Sequence, residues 1–204
     1  MRAVITGATG GIGGATAEAL GRAGYEVIIT GIDLEAGKKV IDKLESQGIK
    51  VHFYACDATN EEQVNETFAK IGEEFGSLDL LVNNVGGLGG RQRVSEMETG
   101  FMRKVMALNF DSVFFNTRAA LPLLKKGKDA SIVNFSTIAV TSGAGIGASI
   151  YAASKGAVQS YTRALAKDLP SSASAPTWFL PAPSTLPSTL RLTAPWWRAG
   201  RTAS

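Results

Sequence analysis

The sequence predicts an α/β fold: a doubly wound parallel sheet with helices on both faces, truncated or altered at its C-terminal end. Three observations point there. Short β-branched apolar runs recur as far as Phe135. Each is followed by a stretch with apolar residues at helical spacing. Both patterns stop near Leu169, where the composition changes abruptly. Strands alternating with helices cannot pair as hairpins, so the sheet is parallel and its helices cover both sides.

The expected strands are Ala3 to Thr6, Glu26 to Thr30, Val51 to Ala55, Leu78 to Asn83 and Ser131 to Phe135, each short and rich in Val, Ile, Thr, Phe or Tyr. The expected helices are Ile12 to Ala23, Leu34 to Gln47, Glu61 to Phe75, Glu96 to Lys126 and Ile150 to Leu169. Residues 1–169 form one nucleotide-binding unit in this reading, and 170–204 a separate Pro/Ser/Ala-rich tail. Six of the chain's seven prolines fall in that tail, which is incompatible with a regular helix and argues against a central strand.

Bulk composition narrows the function classes. The 204 residues, 45% hydrophobic and 19% charged, suffice for one globular domain with a substantial core. A net charge of +3 with no stripe of Lys and Arg does not imply a nucleic-acid partner. The single cysteine, Cys56, cannot form an internal disulfide, and the single histidine, His52, has no Cys or His at metal-ligand spacing. No metal site is expected. No segment reaches the roughly 18 apolar residues that span a bilayer, and the N-terminus enters a strand at once, so the expectation is a cytoplasmic protein without a membrane partner.

The stretch VITGATGGIGGATAEAL puts Gly7, Gly11 and Gly13 between the first strand and the first helix. Glycine at such a turn lets the backbone approach a pyrophosphate, whose charge then sits on the helix N-terminus. Further along, Tyr151 and Lys155 are four residues apart in YAASK, and on a helix they share one face. An ammonium group beside a phenol favours the phenolate and makes it a better base near neutral pH. A hydride acceptor held by the glycine turn and a proton acceptor at Tyr151 together describe the oxidation of an alcohol, or in reverse the reduction of a ketone.

These motifs, in this order, resemble the short-chain dehydrogenase/reductase family, which has a Rossmann-type sheet. The resemblance covers residues 1 to about 169. It implies that Thr6, Gly7, Gly11, Ile12 and Gly13 form the cofactor loop, that Asp57 in CDAT contacts the adenine, and that Asn83 and Gly86 in NNVGG lie near the adenosine. It implies that Asn109, in MALNFDSVF, interrupts a long helix, holds a water and connects Lys155 to bulk solvent in a proton relay. Tyr151 is then the acid/base, and Lys155 also holds the nicotinamide ribose. The family's substrate-holding serine aligns with Thr137 in FSTIAV, while Ser136, one residue earlier on an alternating strand end, points away. The threonine hydroxyl can donate the same bond, although its methyl group crowds the site.

The resemblance implies a nicotinamide cofactor. Gly31 and Ile32 occupy the positions that select between its two forms, Asp33 follows, and no basic residue is present there or at Gly10. An acidic group favours NAD through the ribose 2′-hydroxyl, so NAD is expected, with NADP not excluded. Asp33 is equally suited to cap the next helix. Arg91 and Arg93, in the loop Gly86 to Met97, are available to an acidic substrate or to solvent, and neither is assigned. The stretch from Ser136 to Val158 looks most like the branch holding 3-oxoacyl-carrier-protein reductases and sugar or polyol dehydrogenases. The implied substrate is therefore a small secondary alcohol or ketone, and the implied oligomer a homodimer through the helices of Asn109 and Tyr151.

The family's sixth strand, cofactor-binding threonine and substrate lid have no counterpart after Leu169. The break has the form of a shifted reading frame or of a genuine divergent tail, and either leaves an uncovered edge on the fifth strand. The competing expectation is a catalytically impaired nucleotide-binding or scaffold protein.

Overall fold

In the computed structural model the described residues are 1–169, together with the backbone of 177–179. Strands β1 (Arg2–Thr6), β2 (Glu26–Gly31), β3 (Val51–Ala55), β4 (Leu80–Asn83) and β5 (Ser131–Phe135) pair in parallel, and β6 (Thr177–Phe179) adds to β5 in the order β3-β2-β1-β4-β5-β6. Helices α1 (Gly11–Arg22), α2 (Leu34–Glu45), α3 (Glu61–Phe75), α4 (Thr99–Met106), α5 (Ser112–Leu124), α6 (Ala139–Ser142) and α7 (Ser149–Asp168) connect them.

Side-chain alternation explains the two layers. Val4, Ile28, Leu81 and Ile132 face a core shared with Phe68 of α3, Leu123 of α5 and Leu165 of α7. Ile5, Val27, Ile29 and Val82 face the opposite core, with Ala17 and Leu20 of α1 and Leu44 of α2. The strand order reverses between β1 and β4. Their carboxyl ends diverge there and open the crevice in which doubly wound sheets hold ligands.

Buried polar side chains cross-link the layer that carries α5 and α7. Asn83 Nδ2 donates to Thr117 Oγ1 at 3.0 Å and to Asn134 Oδ1 at 2.8 Å, and Asn134 Nδ2 donates to Thr162 Oγ1 at 2.9 Å. The Thr162 hydroxyl in turn donates to Val158 O, so the chain of donors has one direction and ties β4 and β5 to both helices.

Two expectations change. The helix expected from Glu96 to Lys126 is broken into a 3-10 turn (Val94–Glu96), α4, a π-helical stretch (Ala107–Asp111) and α5. The outer edge of β5, expected to be uncovered, is paired by β6 over three residues, Val133 opposite Thr177 and Phe135 opposite Phe179. Thr-Trp-Phe is short enough to sit between Pro176 and Pro181, and an edge strand tolerates such neighbours. The other readings of 170–204, including a shifted reading frame, lie outside the described residues.

Candidate active site

The glycine turn leaves β1 at Thr6. Gly7 (φ 62°) and Gly11 (φ 54°) take left-handed backbone angles that suit glycine. A cap distinguishes the helices around the cleft. Asp33 accepts from Ala36 N at the start of α2, and Asn60 accepts from Gln63 N at the start of α3. At α1 the capping residue is Gly10, and among the described residues no side chain bonds the first-turn amides. Those N–H groups and the helix dipole therefore remain free for an anion, and a Cβ at Gly10 or Gly11 would meet nothing within 4 Å. The chain's own residues thus fit a bound pyrophosphate.

Thr6 and Asn84 lock this turn to the end of β4. Thr6 Oγ1 accepts from Asn84 N at 3.1 Å and Val85 N at 3.3 Å, and Asn84 Nδ2 donates to the carbonyls of Thr6 and Gly7, both at 3.0 Å. Beside the turn lies a cleft of about 240 Å³, lined in part by Gly7, Gly31, Ile32, Asp57, Asn84 and Gly86. Asp57 Oδ1 is already used by the N–H and hydroxyl of Thr59, which fixes the strand end rather than leaving that oxygen free.

Asn83 is the asparagine expected here from NNVGG. The structure sets its side chain in the interior network described above, 1% exposed, and brings Asn84 to the cleft instead. The two adjacent asparagines differ in face because β4 alternates. Asp33 is an exposed N-cap, and Ile32 lines the cleft. Asn84 was legible as part of NNVGG; only the tertiary contact to Thr6 singles it out.

The chemical end of the site gathers four segments. Asn109 is fully buried in the π-helical stretch. Its Nδ2 donates to Val105 O at 3.0 Å, taking the carbonyl that an α-helix would pair with the backbone N–H of residue 109, and Ser112 N reaches back five residues to Ala107 O. The same side chain bonds both backbone groups of Gly87. Lys155, on α7 and 4% exposed, donates from Nζ to Phe135 O at 3.0 Å. Burial pushes its pKa down to about 8.

Gly86 shows how close these groups lie. A Cβ there would stand 2.7 Å from Lys155 Nζ and 2.8 Å from Asn109 Oδ1. Tyr151 is half-buried one turn before Lys155 on α7. Ser136 and Thr137 follow β5. The Ser136 hydroxyl donates to Lys155 O at 3.3 Å, whereas Thr137 Oγ1 accepts from Ala139 N at 3.3 Å and is left with its proton to donate. Among the described residues, no group of His, Cys, Asp and Glu could hold a metal ion, and no helix is long and apolar enough to cross a membrane.

Fold and site together define a doubly wound α/β chain with a glycine turn after its first strand and a Tyr-x-x-x-Lys helix beside its crevice. Residues 1–173 match the short chain dehydrogenase family, and the chain belongs to it. It is 38% identical over 165 residues to a 3beta-hydroxysteroid dehydrogenase of Mediterraneibacter gnavus, covering 81% of this chain and 59% of that protein. It is 36% identical over 168 residues to an NADP-dependent (R)-specific alcohol dehydrogenase of Lentilactobacillus kefiri, covering 81% of this chain and 65% of that protein. The crystal structure of NADH-dependent reductase A1-R' complexed with NAD superposes with a TM-score of 0.83 at 32% identity, covering 88% of this chain and 77% of that one. The chain therefore spans only about three fifths to two thirds of the length of these two curated relatives.

Proposed function

We propose that the protein is an oxidoreductase that moves hydride between a nicotinamide dinucleotide and a secondary alcohol or ketone. The observation that carries this reading is the convergence of Lys155 and Asn109 on Gly86, beside a glycine turn whose helix has no side-chain cap. Thr6, Gly7, Gly11, Ile12, Gly13, Asp57, Asn84 and Gly86 would hold the dinucleotide, which supplies or takes up the hydride when bound.

The chain's own residues handle the proton. Tyr151 Oη takes it from an alcohol hydroxyl, or returns it to a carbonyl oxygen. Thr137 Oγ1 donates to that same substrate oxygen. Lys155, charged below about pH 8, favours the phenolate of Tyr151 and passes protons towards Asn109.

NAD is the preferred form in this proposal, because no cation stands at Gly31, Ile32 or Gly10 to meet a 2′-phosphate. The NAD complex of the superposed reductase supports the nucleotide class, and the NADP-dependent relative keeps the other form in play. A 3-oxoacyl thioester, a polyol or another small secondary alcohol fits the reaction. The aromatic face where Tyr161 of α7 meets Phe110 and Phe114 favours a homodimer through these helices. A free, buried Cys56 agrees with a cytoplasmic setting.

Purified protein should oxidise NADH in the presence of at least one ketone from a panel of alicyclic, 3-oxoacyl and sugar-derived substrates, and Tyr151→Phe should abolish that turnover while cofactor binding persists. Binding of NADH without turnover on the whole panel would favour the second reading, a nucleotide-binding scaffold. That reading draws on the family match ending at residue 173.

A further inference from the structure

The loop after β4 crosses to the loop that precedes α7, and two adjacent residues make the bridge. Arg91 Nη1 donates to Ile146 O at 2.8 Å, and the next residue, Gln92, donates its backbone N–H to Gly147 O at 3.0 Å. The opposing loop is shaped to receive the arginine. A Cβ at Gly145 would stand 3.2 Å from Arg91 Nη1, and one at Gly147 would stand 3.1 Å from Arg91 Cβ and 3.2 Å from Gln92 N. Gly147 also has φ 74°, so the turn into α7 takes a backbone angle that a side chain resists, and it does so against the body of Arg91.

The bridge has a second anchor. Gln92 Oε1 accepts from Glu98 N, the residue capping α4, at 3.1 Å. Residues 91 and 92 therefore join the start of α4, which runs into the π-helical stretch of Asn109, to the start of α7, which carries Tyr151. The N-terminus of α7 has no side-chain cap to hold it, and Ala148 N returns only to Gly145 O at 3.1 Å. The contacts from Arg91 and Gln92 are thus what fixes the last turn before Tyr151 from outside its own segment.

We propose that Arg91 is a positioning residue of the active site: by clamping the 145–147 turn to the loop after β4, it sets the entry of α7 and hence the position of Tyr151 relative to Asn109. This rests on the oxidoreductase reading above for its catalytic consequence, but the clamp itself is independent of it. The role needs one hydrogen-bond donor at the end of a long side chain, since Nη1 is the guanidinium nitrogen that bonds the turn. Lysine can supply that donor, and alanine cannot.

The test compares the wild type with Arg91→Ala and Arg91→Lys in the full chain. With an uncharged ketone, Arg91→Ala should lower kcat by about tenfold, the scale of one lost hydrogen bond, with the KM for the cofactor unchanged, and Arg91→Lys should recover most of the loss. Independently of turnover, amide hydrogen exchange should speed up at Gln92, Ala148 and Ala152, the hydrogen-bonded amides around this turn, in Arg91→Ala and return to the wild-type rate in Arg91→Lys. Unchanged exchange in Arg91→Ala overturns the proposal. So does a loss confined to KM for anionic substrates, which would make Arg91 a substrate contact. If the wild type turns over nothing while the exchange result holds, the oxidoreductase reading fails and the clamp stands.

Discussion

Asn109 and Gly87 are bonded to each other twice. Asn109 Oδ1 accepts from Gly87 N at 3.0 Å, and Asn109 Nδ2 donates to Gly87 O at 2.9 Å, so one amide side chain satisfies both backbone groups of a residue in the loop after β4. Truncation to alanine strands these groups and the Val105 carbonyl, each costing roughly 1–3 kcal/mol where water is excluded. Asn109→Ala should therefore lose at least about 3 kcal/mol in urea unfolding. Asn109→Asp should lose a comparable amount, because a carboxylate would face the Gly87 and Val105 carbonyls. A midpoint unchanged in both variants would show that the pair holds nothing together.

The buried Lys155 gives the cofactor-free protein a stability that depends on pH in a defined direction. Burial lowers its pKa from 10.5 to about 8, so between these values the unfolded chain keeps a proton that the native protein has released. Stability contributed by this group rises with pH across that window, by at most about 3 kcal/mol, and is flat below it. Denaturant unfolding of wild type and Lys155→Met at pH 7.5, 9 and 10.5 reads the effect as a difference. A gap between the two proteins that stays constant with pH would contradict it.

The two hydroxyls after β5 should separate cleanly. Thr137→Ala should lower kcat by about 100-fold, the scale of one donor to a developing oxyanion. Thr137→Ser keeps the acceptor for Ala139 N and removes the methyl group, so its activity should equal or exceed wild type. Ser136→Ala removes only a 3.3 Å bond to Lys155 O and should cost less than fivefold. Steady-state kinetics on one substrate covers all three.

Asp33 and Asn83 should prove to be framework residues. Asp33→Ala removes the cap on Ala36 N and should destabilise the protein by about 1 kcal/mol. Asn83→Ala breaks the buried bonds to Thr117 and Asn134 and should cost about 2–3 kcal/mol. Both variants should bind NADH within twofold of wild type by fluorescence titration, while Asn84→Ala, which frees the glycine turn, should bind at least tenfold more weakly. A tenfold loss in Asp33→Ala would instead support a direct contact with the ribose.

Local chemistry was legible wherever pattern and neighbour coincide. The period of the apolar residues and the glycines after β1 come from the chain's own geometry, and so do the five strands up to Phe135 and the four-residue spacing of Tyr151 and Lys155. Resemblance then supplied the break at Asn109, which periodicity alone reads as one continuous helix. Other features depend on partners distant in sequence. Asn83 and Asn84 are the same residue type side by side, and only Thr117 and Asn134 on one face and Thr6 on the other give them different work. Arg91 reads as a loop cation until its bond to the 145–147 turn is seen.

The sequence by itself determined the layered sheet, the glycine turn after β1 and the helical spacing of Tyr151 and Lys155, because these depend on periodicity and on contacts within a few residues. Tertiary structure alone decided which asparagine faces the cleft, that a three-residue strand covers β5, and that Lys155 is buried deeply enough to titrate near pH 8. Each of those is settled by burial or by a hydrogen bond across the fold, and neither quantity exists until the strands have paired.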